Sequence, residues 1–148
     1  MPSTLIHRNS LLEIRPCFLE REFFCKSPDF IPDEHWLDSS LLDAASCVRS
    51  FIKNPVIVTS TLRTINHNTA CGGAKDSYHL KGKAIDLRCG VLQSLVNENI
   101  LRRGRLYLEL RTLGIRGFGL SDSFIHLDTR LSGNLIDPDF GSYSLWQY

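Results

Sequence analysis

Apolar and polar residues alternate with period two at two places in this chain. From Lys83 to Leu87 the alternation is partial, with Ile85 and Leu87 on one face and Ala84 and Asp86 on the other. From Phe124 to Asp128 it is clear: Ile125 and Leu127 face one way, and Phe124, His126 and Asp128 the other. Val56 to Ser60 is short and β-branched, a third strand. After Asp38 the period lengthens to about 3.6. Leu41, Leu42, Ala45, Val48 and Phe51–Ile52 predict a helix that Asp38 or Ser39 caps and Asn54-Pro55 ends. Leu92 to Leu113 predicts one or two helices, broken near Gly104, with apolar faces from Leu95, Ile100, Leu106, Leu108, Leu110 and Leu113. Gly114 to Leu120 is a glycine-rich turn into, or part of, another strand.

The remaining segments carry weaker signals. Residues 1–17 read as irregular, with a short strand at Leu11–Ile14, and the aromatic run Phe18 to Cys25 is expected to pack on the main body. Ser27 to Asp33 holds two prolines and reads as a loop. Thr61 to Asp76 reads as a long loop, of a kind that is often functional in small domains. The tail from Gly133 to Tyr148 is polar and aromatic without a strong pattern.

Length and charge narrow the classes. A chain of 148 residues makes one domain, residues 1–148, with a core at about 18–130. A net charge of +1 gives no case for nucleic acid, and no apolar run approaches the roughly 20 residues of a membrane span. The segment Met1 to Arg8 lacks the apolar centre of a secretion signal. Five cysteines without a C-x-x-C spacing argue against a disulfide framework and a thiolate zinc knuckle, and predict buried free thiols. Cys71 and Cys89 flank the Ser77–Asp86 stretch, which leaves a bridge between them open.

That stretch carries the chemistry. Gly82 permits a bend between a loop and the strand that begins near Ala84. Asp86 points away from the core, small Ala84 leaves room beside it, and His79 can fold back over that space. The second strand adds His126. A lone histidine is usually a packed or surface residue. Two imidazoles and a carboxylate, with a fourth position left for water, form a catalytic zinc set, and iron or manganese would fit the same donors.

Ser77-x-His79-x-x-Gly82-x-Ala84-x-Asp86, together with Ile125-His126-Leu127-Asp128, resembles the zinc D-alanyl-D-alanine carboxypeptidase family of peptidoglycan peptidases. Val58 to Thr64, His67-Asn68, Ala70 to Asp76 and the lead-in Phe18 to Cys25 extend the likeness from about Phe18 to Arg130. The resemblance implies that His79, Asp86 and His126 hold zinc, and that Arg63 binds a substrate carboxylate or carbonyl oxygen, a role its planar charged fork suits. Ser77, two residues before a ligand, would bond substrate or the metal water, or cap its own loop. The general base departs from the family pattern. Relatives place an acid three residues before the last histidine, or a histidine two before it, where this chain has Ser123 and Phe124. Asp128 and Asp122 are the substitutes, Asp128 as base or as the carboxylate orienting a ligand. His67 is expected to shape the cleft or serve structure, and His35 to pack.

These readings combine into one α+β domain: a small, mostly antiparallel sheet, helices on one side and zinc on the exposed sheet face. The expected activity is zinc-dependent hydrolysis of an amide bond in a peptidoglycan stem peptide or cross-link, by a monomer acting at the cell wall or periplasm and encoded by a phage, a virus or a bacterium. The alternatives are a zinc-binding module without catalysis and a peptidase for a non-wall peptide.

Overall fold

The computed structural model describes residues 2–148. Its centre is a six-stranded sheet of β5 (Ile57–Ser60), β6 (Ala84–Arg88), β7 (Gly117–Leu120), β8 (Ile125–Asp128), β9 (Leu135–Asp137) and β10 (Gly141–Gln147), in the order β5-β6-β8-β7-β10-β9. All neighbours are antiparallel except β7 and β10, which run parallel. Two ribbons lie outside it: β1 (Ser3–His7) pairs with β4 (Glu34–Asp38), and β2 (Glu13–Arg15) with β3 (Phe18–Leu19). The α+β class and the mostly antiparallel sheet are as predicted.

The alternation in β6 and β8 does what the sequence requires. Ile85, Leu87, Ile125 and Leu127 are fully buried in the core, joined by Phe118 and Leu120 of β7. Helix α1 (Ser39–Ile52) touches β6 and β8 and buries Leu41, Leu42, Ala44, Ala45, Val48 and Ile52. Asp38 is its cap, accepting from the backbone N–H of Ser40 at 3.2 Å. The stretch after Leu92 forms two helices, α3 (Gln93–Leu101) and α4 (Arg105–Thr112), with Gly104 at the break. Val96 and Tyr107 join Ile100, Leu106 and Leu110 inside, whereas Leu95 and Leu108 stay partly exposed.

The structure corrects four expectations. The Thr61–Asp76 loop contains a short helix, α2 (Ile65–Ala70), capped by the Thr64 hydroxyl, which accepts from His67 N–H. Its polar sequence and exposed Ile65 offer no apolar stripe for the periodicity to show. Residues 1–17 hold β1 and β2 rather than one strand at Leu11–Ile14, and Leu11 and Leu12 are exposed. The patternless tail forms β9 and β10. In β10, Tyr143 and Leu145 pack on the core while Trp146 takes the opposite face, so apolar groups on both faces mask the period of two. The five cysteines are free, but Cys25 and Cys89 alone are buried, and Cys17 and Cys71 are exposed.

Candidate metal centre

One row of paired residues crosses the face of the sheet opposite the core: Ser60 beside Asp86, Asp86 beside His126, His126 beside Gly119, and Gly119 beside Trp146. The next row pairs Ala84 with Asp128 and Asp128 with Gly117. Small residues make this face possible. A methyl group on Gly117 would lie 2.1 Å from Asp128 Oδ1, and one on Gly119 would lie 2.7 Å from the Trp146 indole. Strand β7 therefore presents glycine where the site needs depth, and Phe118 and Leu120 where the core needs volume.

His79 arrives from a 3-10 turn, Tyr78–Lys81, capped by the Ser77 hydroxyl, which accepts from the backbone N–H of His79 at 3.2 Å. Gly82 closes the turn at φ 67, in the left-handed region. A side chain there would meet the Trp36 carbonyl oxygen at 2.9 Å. The turn sets His79 Nε2 at 3.2 Å from Asp86 Oδ1, and His126 Nδ1 lies 3.1 Å from the same oxygen.

A second set of partners fixes which atom of each residue faces the centre. Thr61 carbonyl oxygen accepts from His79 Nδ1 at 2.6 Å, so the other ring nitrogen, Nε2, carries a lone pair. Arg63 donates from Nη2 to Asp86 Oδ2 at 3.0 Å, leaving Oδ1 turned inward. Asp128 Oδ2 accepts from His126 Nε2 at 2.7 Å, leaving Nδ1 inward. Asp128 is itself clasped by Arg130, Nε to Oδ1 at 2.8 Å and Nη2 to Oδ2 at 2.7 Å. Burial works to raise the Asp128 carboxyl, but Arg130 and then His126 outweigh it and hold it down to about 2, so it is an ionised acceptor.

Three acceptor atoms thus converge within 4.8 Å of one another, the only such group among the described residues. His79, Asp86 and His126 are each buried. Burial opposes charge on Asp86, yet the two imidazoles beside it, His126 and then His79, pull its carboxyl well below the usual range. Burial keeps His79 neutral against the pull of Asp86. On His126 burial again opposes charge, but the carboxylates of Asp128 and Asp86 beside it push its pKa up. Three buried acceptor atoms this close together repel one another unless a cation or a proton lies between them. Donor atoms on a tetrahedral metal with bonds of about 2.0–2.1 Å lie about 3.3 Å apart, close to the 3.2 and 3.1 Å from Asp86 Oδ1 to His79 and His126, while the three atoms together lie within 4.8 Å. The donor set fits a zinc ion, with one position open.

The centre is the floor of a cleft of about 630 Å³. It is not the open sheet face expected from the sequence, because the 3-10 turn and the end of β10 wall it in. Arg63 and Ser77 line the cleft. Arg63 also donates to Ser60 Oγ at 2.8 Å and Asn68 Oδ1 at 3.3 Å, which with Asp86 engages each nitrogen once and leaves a second N–H on Nη1 and on Nη2. Asp128 is fully buried behind His126 and does not line the cleft; Asp122 is exposed and outside it. His67 lies near Cys71 Sγ at 3.5 Å. His35 packs against Phe24 and Phe30 and accepts from Cys25 N–H at 2.9 Å. Sequence reasoning passed over five residues of the wall, Asp76, Tyr78, Arg130, Trp146 and Tyr148. The only signal for the last two was an aromatic pair near the end of the chain.

No curated protein matches the chain. The sequence model of the family described as Peptidase M15 matches residues 21–128, more than half of the chain and all three converging side chains. The match agrees with the donor set and with the zinc-peptidase part of the resemblance, and the chain belongs to the Peptidase M15 family of zinc metallopeptidases.

Proposed function

We propose that this protein hydrolyses an amide bond in peptidoglycan stem peptides or their cross-links. The observation that carries the reading is the convergence of three buried acceptor atoms, each fixed from behind, at the floor of a cleft of substrate size. A zinc ion held by His79, Asp86 and His126 would polarise a scissile carbonyl and activate a water molecule. The protein's own part is orientation. Thr61, Arg63 and Asp128 hold the three donors, and tightly held outer partners of this kind sharpen a metal site. Ser77 stands at the cleft wall, where it meets the substrate backbone, and Arg63 stands beside Asp86, where it meets a carbonyl or carboxylate oxygen.

Acid–base chemistry needs a proton-accepting side chain that reaches the cleft. Asp128 is an orienting residue in this scheme, since both of its oxygens are engaged behind His126. Asp76 is the one carboxylate besides Asp86 in the cleft wall, and we assign it the water's proton. A peptidoglycan substrate puts the site of action at the cell wall.

The absence of an acid at Ser123 and Phe124 favours a second reading, a module that keeps the metal and has lost catalysis. Mass analysis of purified cell walls digested with the zinc-loaded protein separates the two. New muropeptides from the native protein, absent with His126→Ala and reduced with Asp76→Asn, are expected, and their masses name the bond. No new product from a sample holding one zinc per chain would overturn the peptidase reading.

A further inference from the structure

The cleft has a second guanidinium, and its setting differs from that of Arg63. Arg63 stands at the β5 end of the Ser60–Asp86–His126–Gly119–Trp146 row, with Nε, Nη1 and Nη2 all donating to protein groups. Arg130 belongs to the other end. Its Nε and Nη2 clasp Asp128, while among the described residues no group accepts from Nη1. The guanidinium carbon lies 4.9 Å from the centre of the Tyr78 ring and 4.9 Å from that of Trp146, so the fork is held between two aromatic rings. Trp146 in turn packs on the His126 ring at 5.2 Å and over Gly119. All three residues line the cleft. Arg130 and Trp146 lie beyond the segment matched by the family.

Building on the peptidase reading, we propose that Arg130, Tyr78 and Trp146 form a carboxylate-binding subsite. A guanidinium fixed by one carboxylate and two rings loses little freedom when a second carboxylate reaches Nη1, and that donor is otherwise without a protein partner. The charges agree. With a divalent metal bound, two positive charges of the metal and one each from Arg63 and Arg130 exceed the single negative charges of Asp76, Asp86 and Asp128, so the loaded cleft is cationic. Aromatic rings on either side offer apolar surface to the short side chain that neighbours the carboxylate. The ligand is therefore a peptide whose free C-terminal carboxylate lies on the β10 side of the scissile bond. Arg63 stays on the β5 side with the carbonyl.

The test compares two stem pentapeptides that differ only at the end, one a free acid and one a C-terminal amide, with zinc-loaded enzyme. The expected preference for the acid in kcat/KM is about ten-fold or more, the range of a hydrogen bond to a charged group. Arg130→Lys and Trp146→Ala are expected to bring that ratio close to one, with zinc content unchanged. A residue that merely steadied His126 through Asp128 would lower both substrates together and leave the ratio intact, and that outcome overturns the subsite. Equal cleavage of acid and amide by the native protein also overturns it. Cleavage of neither by the native protein overturns the subsite, and it refutes the peptidase reading as well when the same sample releases no product from purified cell walls.

Discussion

The two faces of β6, β7 and β8 are equally buried and chemically opposite. Toward the helices stand Ile85, Leu87, Phe118, Leu120, Ile125 and Leu127; toward the cleft stand Ala84, Asp86, Gly117, Gly119, His126 and Asp128. On the first face each buried methylene stabilises the fold by about 0.8 kcal/mol. On the second, burial costs free energy wherever a charge is unpaired, and glycines give up side-chain contacts altogether. Charge networks such as Arg130–Asp128–His126–Asp86–Arg63 reduce that cost without making the face a source of stability. The same three strands thus hold the domain together on one side and carry two of the three candidate metal donors on the other, and substitutions on the two sides should fail differently.

The largest stability effect belongs to the helix-facing side. Phe118→Ala is expected to lose about 3–5 kcal/mol in denaturant unfolding, while the fraction that remains folded still takes up one zinc. Loss of zinc from that folded fraction would break the division between the faces. On the cleft side, Asp128→Asn keeps the shape of the side chain and removes its charge. Zinc affinity, read by competition with a chelator, is expected to fall about 10–100-fold. An unchanged affinity would remove Asp128 from the support of His126. The smallest effect is expected from Gly119→Ala. The added methyl would press on the Trp146 indole, the edge of a half-buried side chain with the cleft beside it. A stability cost at the low end of roughly 1–3 kcal/mol is expected, with a drop of a few-fold in kcat/KM and unchanged zinc content. A large loss of zinc would show that Gly119 serves the metal rather than the wall.

The metal donors were legible because each lies on an element with a local rule. Alternation put Asp86 and His126 on the polar face of their strands, and Gly82 marked the turn that brings His79 back. The core of α1 was legible for the same reason. The cleft wall was not, because it depends on pairing between distant segments. Trp146 reaches the site only because β10 runs parallel to β7, and nothing near residue 146 encodes that register. Arg130 was passed over as the end of the family likeness, although it clasps Asp128. The two roles left open for Asp128 separate only when its depth is known, since a base and an orienting carboxylate look alike on an alternating strand. Strand β1 was missed because it pairs with β4 across some thirty residues of chain, with only one of its five residues, Ile6, fully inside.

The most direct measurement is the zinc content of purified, folded protein by elemental analysis, for the native chain and for Asp86→Ala. One zinc per chain is expected in the native protein and none in the variant, with the circular dichroism of the two alike because Asp86 lies on the face that does not hold the fold together. A folded native chain that takes up no zinc, or a variant that keeps it, would contradict the assignment of His79, Asp86 and His126 as the metal centre.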